Sequence, residues 1–127
     1  MNRSILVVDD DEVLAQVLNR VLTSQGYHVL CAATVTEALE LTRKKRPALA
    51  LLDLCLPDGD GIQLGRDLRA LVPDLPVILM TAYPRRLQED RESTGAFAQV
   101  LTKPLNLQEL RQSLAAALQP NGSAAAC

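Results

Sequence analysis

The chain is almost without aromatic residues: among 127 positions there is no Trp, one Phe and two Tyr. A core without rings must be built from Leu, Val, Ile and Ala packed between layers, which suits helices laid against a sheet. A basic surplus is also missing, since 13 Lys and Arg against 15 Asp and Glu give a formal charge of −2. That balance argues against direct nucleic-acid binding, which needs clustered cations to neutralise phosphates. The basic run Arg43, Lys44, Lys45, Arg46 closes an expected helix, where cations complement the helix dipole. No charged, apolar, small-residue leader follows Met1, and no apolar run is long enough to span a bilayer. A cytoplasmic location with no membrane partner is the expectation. Cys31, Cys55 and Cys127 form an odd set without CxxC spacing and with no His placed to share a metal, which fits a reducing compartment. The length accommodates one domain, expected over residues 1–119, and the PNGSAAAC stretch from Pro120 to Cys127 reads as a linker or an added tail.

What is present is periodic. Apolar runs at Ile5 to Val8, Ala48 to Leu52, Val77 to Met80 and Val100 to Leu101, with a more mixed one at Tyr27 to Cys31, read as strands of a parallel sheet covered on both faces. Amphipathic stretches alternate with them. Val13, Leu14, Val17, Leu18, Val21 and Leu22 form a stripe with Gly26 just past its end. Thr34 and Glu37 have capping-box spacing ahead of a helix that Pro47 stops. Ile62, Leu68 and Leu71 mark a helix ending before Pro73, and Asn106 with Glu109 caps another carrying Leu107, Leu110, Leu114 and Leu118. Between Pro84 and Thr94 only Leu87 is a large apolar residue, so a helix there is weakly anchored. Five strands alternating with five helices imply right-handed crossovers and a doubly wound α/β sheet.

In such a sheet ligands bind beyond the carboxyl ends of the strands. Asp9, Asp10 and Asp11 follow the first strand, Asp53 ends the third, Thr81 ends the fourth and Lys103 follows the fifth. Each alone has an ordinary explanation: Asp11 as a helix N-cap, Asp53 as a turn residue, Thr81 as a strand-end hydroxyl, Lys103 as a solvated charge. Acid, acid, hydroxyl and cation converging on one edge are not explained by turns. Three carboxylates where a phosphate-binding loop would offer glycine and free N–H groups repel phosphate and favour a hard divalent cation. An acidic pocket with one Lys therefore reads as a cation site able to accept a phosphoryl group on a carboxylate.

Over residues 4 to 118, through ILVVDDDE, LLDLCLPDGDG, PVILMTAY and LTKPL, the chain resembles receiver domains of two-component response regulators, of the chemotaxis-receiver kind. The resemblance implies a flavodoxin-like receiver fold with a five-stranded parallel sheet in the order 2-1-3-4-5. It implies Asp53 as phosphoacceptor, Asp10 as a direct Mg²⁺ ligand, Asp9 as a second ligand or one acting through water, and a backbone carbonyl of Cys55 on the metal. Lys103 would hold one phosphoryl oxygen and Thr81 would move to bond another. A cis peptide between Lys103 and Pro104 is implied too, with Pro57 and Gly61 shaping the loop after Asp53. A sensor histidine kinase, a phosphotransfer protein or a small acyl phosphate would be the donor, so the domain is a phosphoacceptor and not an enzyme in its own right. PVILMTAY suggests the N-terminal part of a transcriptional regulator, with an effector domain C-terminal to this chain and homodimerisation on phosphorylation.

Two features depart from the family pattern. The usual aromatic switch position, three before the Lys, is Val100, and the segment from Gly95 to Lys103 is one residue longer than common, so Phe97 does not take that role. The resemblance also places Cys55 and Tyr83 beside the path of a hydrolytic water, and neither suits holding it, which implies slow self-dephosphorylation. The alternative is a haloacid-dehalogenase-type phosphohydrolase, because VVDDDEVL also fits that family's first motif, with Asp9 as nucleophile and Asp11 as acid. Only Glu109 follows Lys103 to complete that family's metal site, and the loop after Asp53 is left without a role.

Overall fold

A computed structural model describes residues 3–82 and 99–118. The main-sheet strands are β1 (Ser4–Val8), β2 (His28–Ala32), β3 (Leu49–Asp53), β6 (Val77–Thr81) and β7 (Gln99–Thr102). They are all parallel, in the order β2-β1-β3-β6-β7. Counted along this sheet alone, the order is 2-1-3-4-5, as the resemblance implies. Two short strands, β4 (Cys55–Leu56) and β5 (Gly59–Asp60), pair antiparallel as a hairpin between β3 and the following helix. The sequence reading treated this stretch only as a loop.

Alternation along the strands distributes the core. Ile5, Val7, Leu49, Leu51, Ile78 and Met80 face α1 (Glu12–Ser24) and α4 (Leu107–Leu118), packing with Leu18, Leu22, Leu110 and Leu114. Leu6, Val8, Ala50, Leu52, Val77 and Leu79 point to the opposite face, against Ala38 of α2 (Val35–Lys45) and Leu64 and Leu68 of α3 (Gly61–Leu71). Continuous apolar runs are required because both faces of each central strand are covered.

The helix boundaries follow from their caps. Asp11 accepts from the Val13 and Leu14 N–H groups at the start of α1, and Gly26, at φ 95°, turns the chain after it. Thr34 accepts from Glu37 N–H at 3.1 Å, and Asn106 accepts from Glu109 N–H at 3.0 Å. The Arg43–Lys45 cations occupy the last turn of α2, and Arg46 reaches from its left-handed cap to the Leu71 carbonyl at 3.3 Å. The segment from Pro84 to Thr94, expected to be a weakly anchored helix, lies with Tyr83 and Phe97 outside the described residues. Among the described residues no helix is long and apolar enough to cross a membrane.

Candidate functional site

The acidic residues meet at the carboxyl edge of β1 and β3. Asp9 directly follows β1 and Asp53 ends β3, and the two strands are hydrogen-bonded neighbours. Carboxylate oxygens of Asp9, Asp10 and Asp53 all lie within 4.8 Å of one another. Asp10 is exposed, whereas the Asp9 side chain is fully buried and accepts from Asp11 N–H at 2.9 Å. A hard cation suits three oxygen donors with one side open to water.

Lys103 arrives from the next strand but one. Its backbone N–H donates to the Thr81 carbonyl at 2.8 Å, and the Lys103–Pro104 peptide is cis. Its Nζ stands 2.8 Å from Asp9 Oδ2 and 3.4 Å from Asp53 Oδ2. Lys103 therefore lies nearer the buried Asp9 than the acid it was expected to serve. Thr81 is buried at the end of β6, one position past Met80, the register partner of Asp53. The Cys55 N–H donates to Asp53 Oδ1 at 3.4 Å. Cys31 and Cys55 are both exposed, and neither is in a disulfide among the described residues. Val100 stands on β7 opposite Leu79, 39% exposed, at the position where an aromatic ring was looked for.

Burial, and then repulsion from Asp9, push the Asp53 carboxyl above the usual carboxylate range, against the opposing pull of Lys103 and the Cys55 N–H. Burial alone would lower Lys103, but its hydrogen bond and charge pairing with Asp9, helped by Asp53, outweigh this and hold it above the ordinary lysine value. The raised Asp53 value carries a stability consequence. An ionised Asp53 opposes folding, and that cost grows as pH rises from the ordinary carboxylate value through the raised one. Asp53→Asn should therefore melt at a higher temperature than wild type at neutral pH without divalent cations. The difference should vanish in acid below the ordinary Asp range, as thermal melts across pH would show.

Two further residues were not singled out in the sequence. Asp60 caps α3 by accepting from Gln63 N–H at 2.9 Å, a D-x-x-Q spacing that could have been read. Asp58 accepts from Val35 and Thr36 of α2, and no local spacing announces a contact across 23 positions.

A parallel doubly wound sheet with a buried acid–lysine pair and a second, more accessible acid at its carboxyl edge defines an α/β module with a cation-accepting, phosphoacceptor-type site. The chain belongs to the response regulator receiver domain family, whose model matches residues 5–115. It is 36% identical over 116 residues to sporulation initiation phosphotransferase F of Bacillus subtilis, covering 90% of this chain and 92% of that one. It is 35% identical over 121 residues to the probable transcriptional regulatory protein TcrX of Mycobacterium tuberculosis, covering 94% of this chain and 51% of the relative. A CheY-like receiver domain protein from Methanospirillum hungatei superposes with a TM-score of 0.86 at 29% identity, covering 93% of this chain and 94% of that one. The domain is thus a receiver of the two-component phosphorelay type, as the sequence motifs imply. The phosphohydrolase alternative loses on this membership, and also because its nucleophile, Asp9, is fully buried and bonded to Lys103.

Proposed function

We propose that Asp53 is the phosphoacceptor, with Asp9, Asp10, Asp53 itself and the Cys55 carbonyl holding Mg²⁺, and with Lys103 and Thr81 receiving phosphoryl oxygens. The observation that carries this reading is the position of Asp53: at a strand end, facing two further carboxylates and 3.4 Å from the Lys103 ammonium. Asp53 keeps 12% of its side chain exposed while Asp9 keeps none, so of the two it is the one open to an incoming donor. The donor is a phosphohistidine of a sensor kinase or phosphotransfer protein, or a small acyl phosphate. An Asp53 oxygen bonds to phosphorus as the phosphorus–nitrogen bond of the phosphohistidine breaks, and the electron pair departs with the imidazole. The cation, when bound, supplies positive charge at the transferring group. Lys103 adds a second positive charge, and the strand ends hold these groups at fixed separations, which is where catalysis of phosphoryl transfer resides.

With Mg²⁺ and acetyl phosphate or phosphoramidate, intact-mass measurement should show one added phosphoryl group, absent from Asp53→Asn. Labelling that survives Asp53→Asn but is lost in Asp9→Asn would refute the assignment.

The output is read as gene regulation. The chain spans about half the length of TcrX and of the MprA response regulators of mycobacteria, which supports an effector segment beyond this domain, with homodimerisation on phosphorylation as the means of switching it. Slow loss of the phosphoryl group, expected from Cys55 and Tyr83, accords with that output.

A further inference from the structure

The loop after Asp53 is fastened at its tip to a helix that the phosphotransfer reading does not use. Cys55 pairs with Asp60 and Leu56 with Gly59, leaving Pro57 and Asp58 at the turn of the hairpin. The Asp58 carboxylate accepts from Val35 N–H at 2.8 Å, Thr36 N–H at 3.3 Å and the Thr36 hydroxyl at 3.2 Å. These contacts complete the start of α2. Its N-cap Thr34 satisfies only the Glu37 N–H with its side chain, and Ala38 N–H is bonded to the Thr34 carbonyl. The Val35 and Thr36 N–H groups are the orphans that every helix start leaves, and the loop supplies their acceptor. Packing agrees, since a Cβ on Gly59 would stand 3.0 Å from a Val35 methyl. The Val35 bond, with those from Thr36, holds the Asp58 carboxyl below the ordinary carboxylate range.

The other end of the hairpin is fixed independently. Gly61 N–H donates to the Leu54 carbonyl at 2.8 Å and Asp60 caps α3. Cys55 lies between these anchors, with its N–H on Asp53. We propose that Asp58 is a positioning residue for phosphotransfer: by docking the hairpin tip on the first turn of α2, it fixes the Cys55 peptide that faces the cation and Asp53. This rests on the preceding assignment of the Cys55 carbonyl to Mg²⁺.

Two measurements on the unphosphorylated protein test it. In metal-free protein, Asp58→Ala should speed amide exchange at Cys55 and Leu56 about fivefold, the factor one capping interaction is worth, and leave β1 unchanged. Titration with Mg²⁺, followed through the Asp10 and Cys55 amide resonances, should show half-saturation raised by a similar factor of about five. Asp58→Asn, which keeps an acceptor but not the charge, should fall between. Thr36→Val, which deletes only the hydroxyl contact, gives a milder variant should Asp58→Ala fold poorly. If Asp58→Ala melts at a lower temperature yet keeps wild-type exchange at Cys55 and wild-type Mg²⁺ half-saturation, Asp58 is a helix cap only and the proposal is overturned. If the wild type shows no saturable Mg²⁺ response, the metal assignment falls. The exchange rates then still decide on Asp58, because unchanged exchange at Cys55 overturns its positioning role.

Discussion

Gly61→Ala is expected to lose both stability and phosphorylation, unlike alanine at Gly26 or Gly59. A Cβ built at Gly61 would lie 2.4 Å from the Asp53 carbonyl oxygen and 3.1 Å from both the Asp53 carbonyl carbon and the Leu54 Cα. All three are backbone atoms, so no rotamer change relieves the contact. Either α3 or the end of β3 must move, and the Gly61–Leu54 hydrogen bond of 2.8 Å is strained with it. Overpacking of this sort costs about 1–3 kcal/mol. The functional loss should be larger, because a displacement of about 1 Å at the phosphoacceptor costs about a hundredfold in rate. Two glycines provide the controls. At Gly59 the nearest atom is a Val35 methyl at 3.0 Å, a side-chain contact that loads the hairpin tip against α2 and not the Asp53 backbone. At Gly26 nothing lies within 4 Å, but φ is +95°, so alanine there should cost about 1 kcal/mol through backbone strain without touching the site. Denaturant melts and acetyl phosphate labelling of the three variants separate these effects. A Gly61→Ala protein labelled at the wild-type rate would show that the close approach has no bearing on Asp53.

This contact also marks the limit of what could be read from residues alone. The strands were legible because Leu, Val and Ile runs covered on both faces have no other comfortable place, and the caps because Asp11, Thr34 and Asn106 act on N–H groups two or three positions away. The apolar runs alone stop at Leu52 and Met80, one residue short of the strand ends, yet Asp53 and Thr81 were read as the ends of their strands, which is where they stand. Asp53 and Thr81 belong to their strands because Leu54 N–H reaches the Met80 carbonyl at 2.9 Å and Lys103 N–H the Thr81 carbonyl, so the ladder continues past the last apolar side chain. The acids and the lysine were found as a set through topology, since a parallel sheet gathers strand ends at one edge. Their mutual arrangement was not. That Asp9 is the buried partner of Lys103 and Asp53 the more open acid depends on how far each side chain sits below the edge, and that is a property of packing. Asp58 was invisible for a related reason: its partners come from a different βα unit, and a turn residue in PDGDG already had a sufficient local explanation.

The Asp9–Lys103 pair leads to the other large effect. Lys103→Ala would leave a fully buried Asp9 carboxylate beside Asp53 with no cation among the described side chains within salt-bridge reach of either. Removing one partner of a buried ion pair costs about 3–5 kcal/mol, and the 20% exposure of the Lys103 side chain places this case toward the lower figure, about 3 kcal/mol. The pH dependence follows from the directions of the shifts. Lys103 is held above its ordinary value, so its stabilising contribution is full below about pH 10.4 and is lost only as pH rises through the raised value. On the acid side the gap between wild type and variant should narrow, by the Asp53 share of the Lys103 attraction, as Asp53 takes up its proton. That happens at a higher pH in the variant, because the Lys103 charge that opposes the upward shift is gone. Added Mg²⁺ should restore much of the lost stability by supplying charge to the same carboxylates. Lys103→Arg should recover stability more than phosphorylation, since it returns the charge but replaces a compact ammonium with a wider planar fork. Melts of wild type, Lys103→Ala and Lys103→Arg at neutral and acid pH, with and without Mg²⁺, would test each step. A Lys103→Ala protein as stable as wild type at neutral pH without divalent cations would mean that the Lys103–Asp9 contact does not stabilise the resting site. The lysine would then serve the transferred phosphoryl group alone, with no part in holding the resting site together.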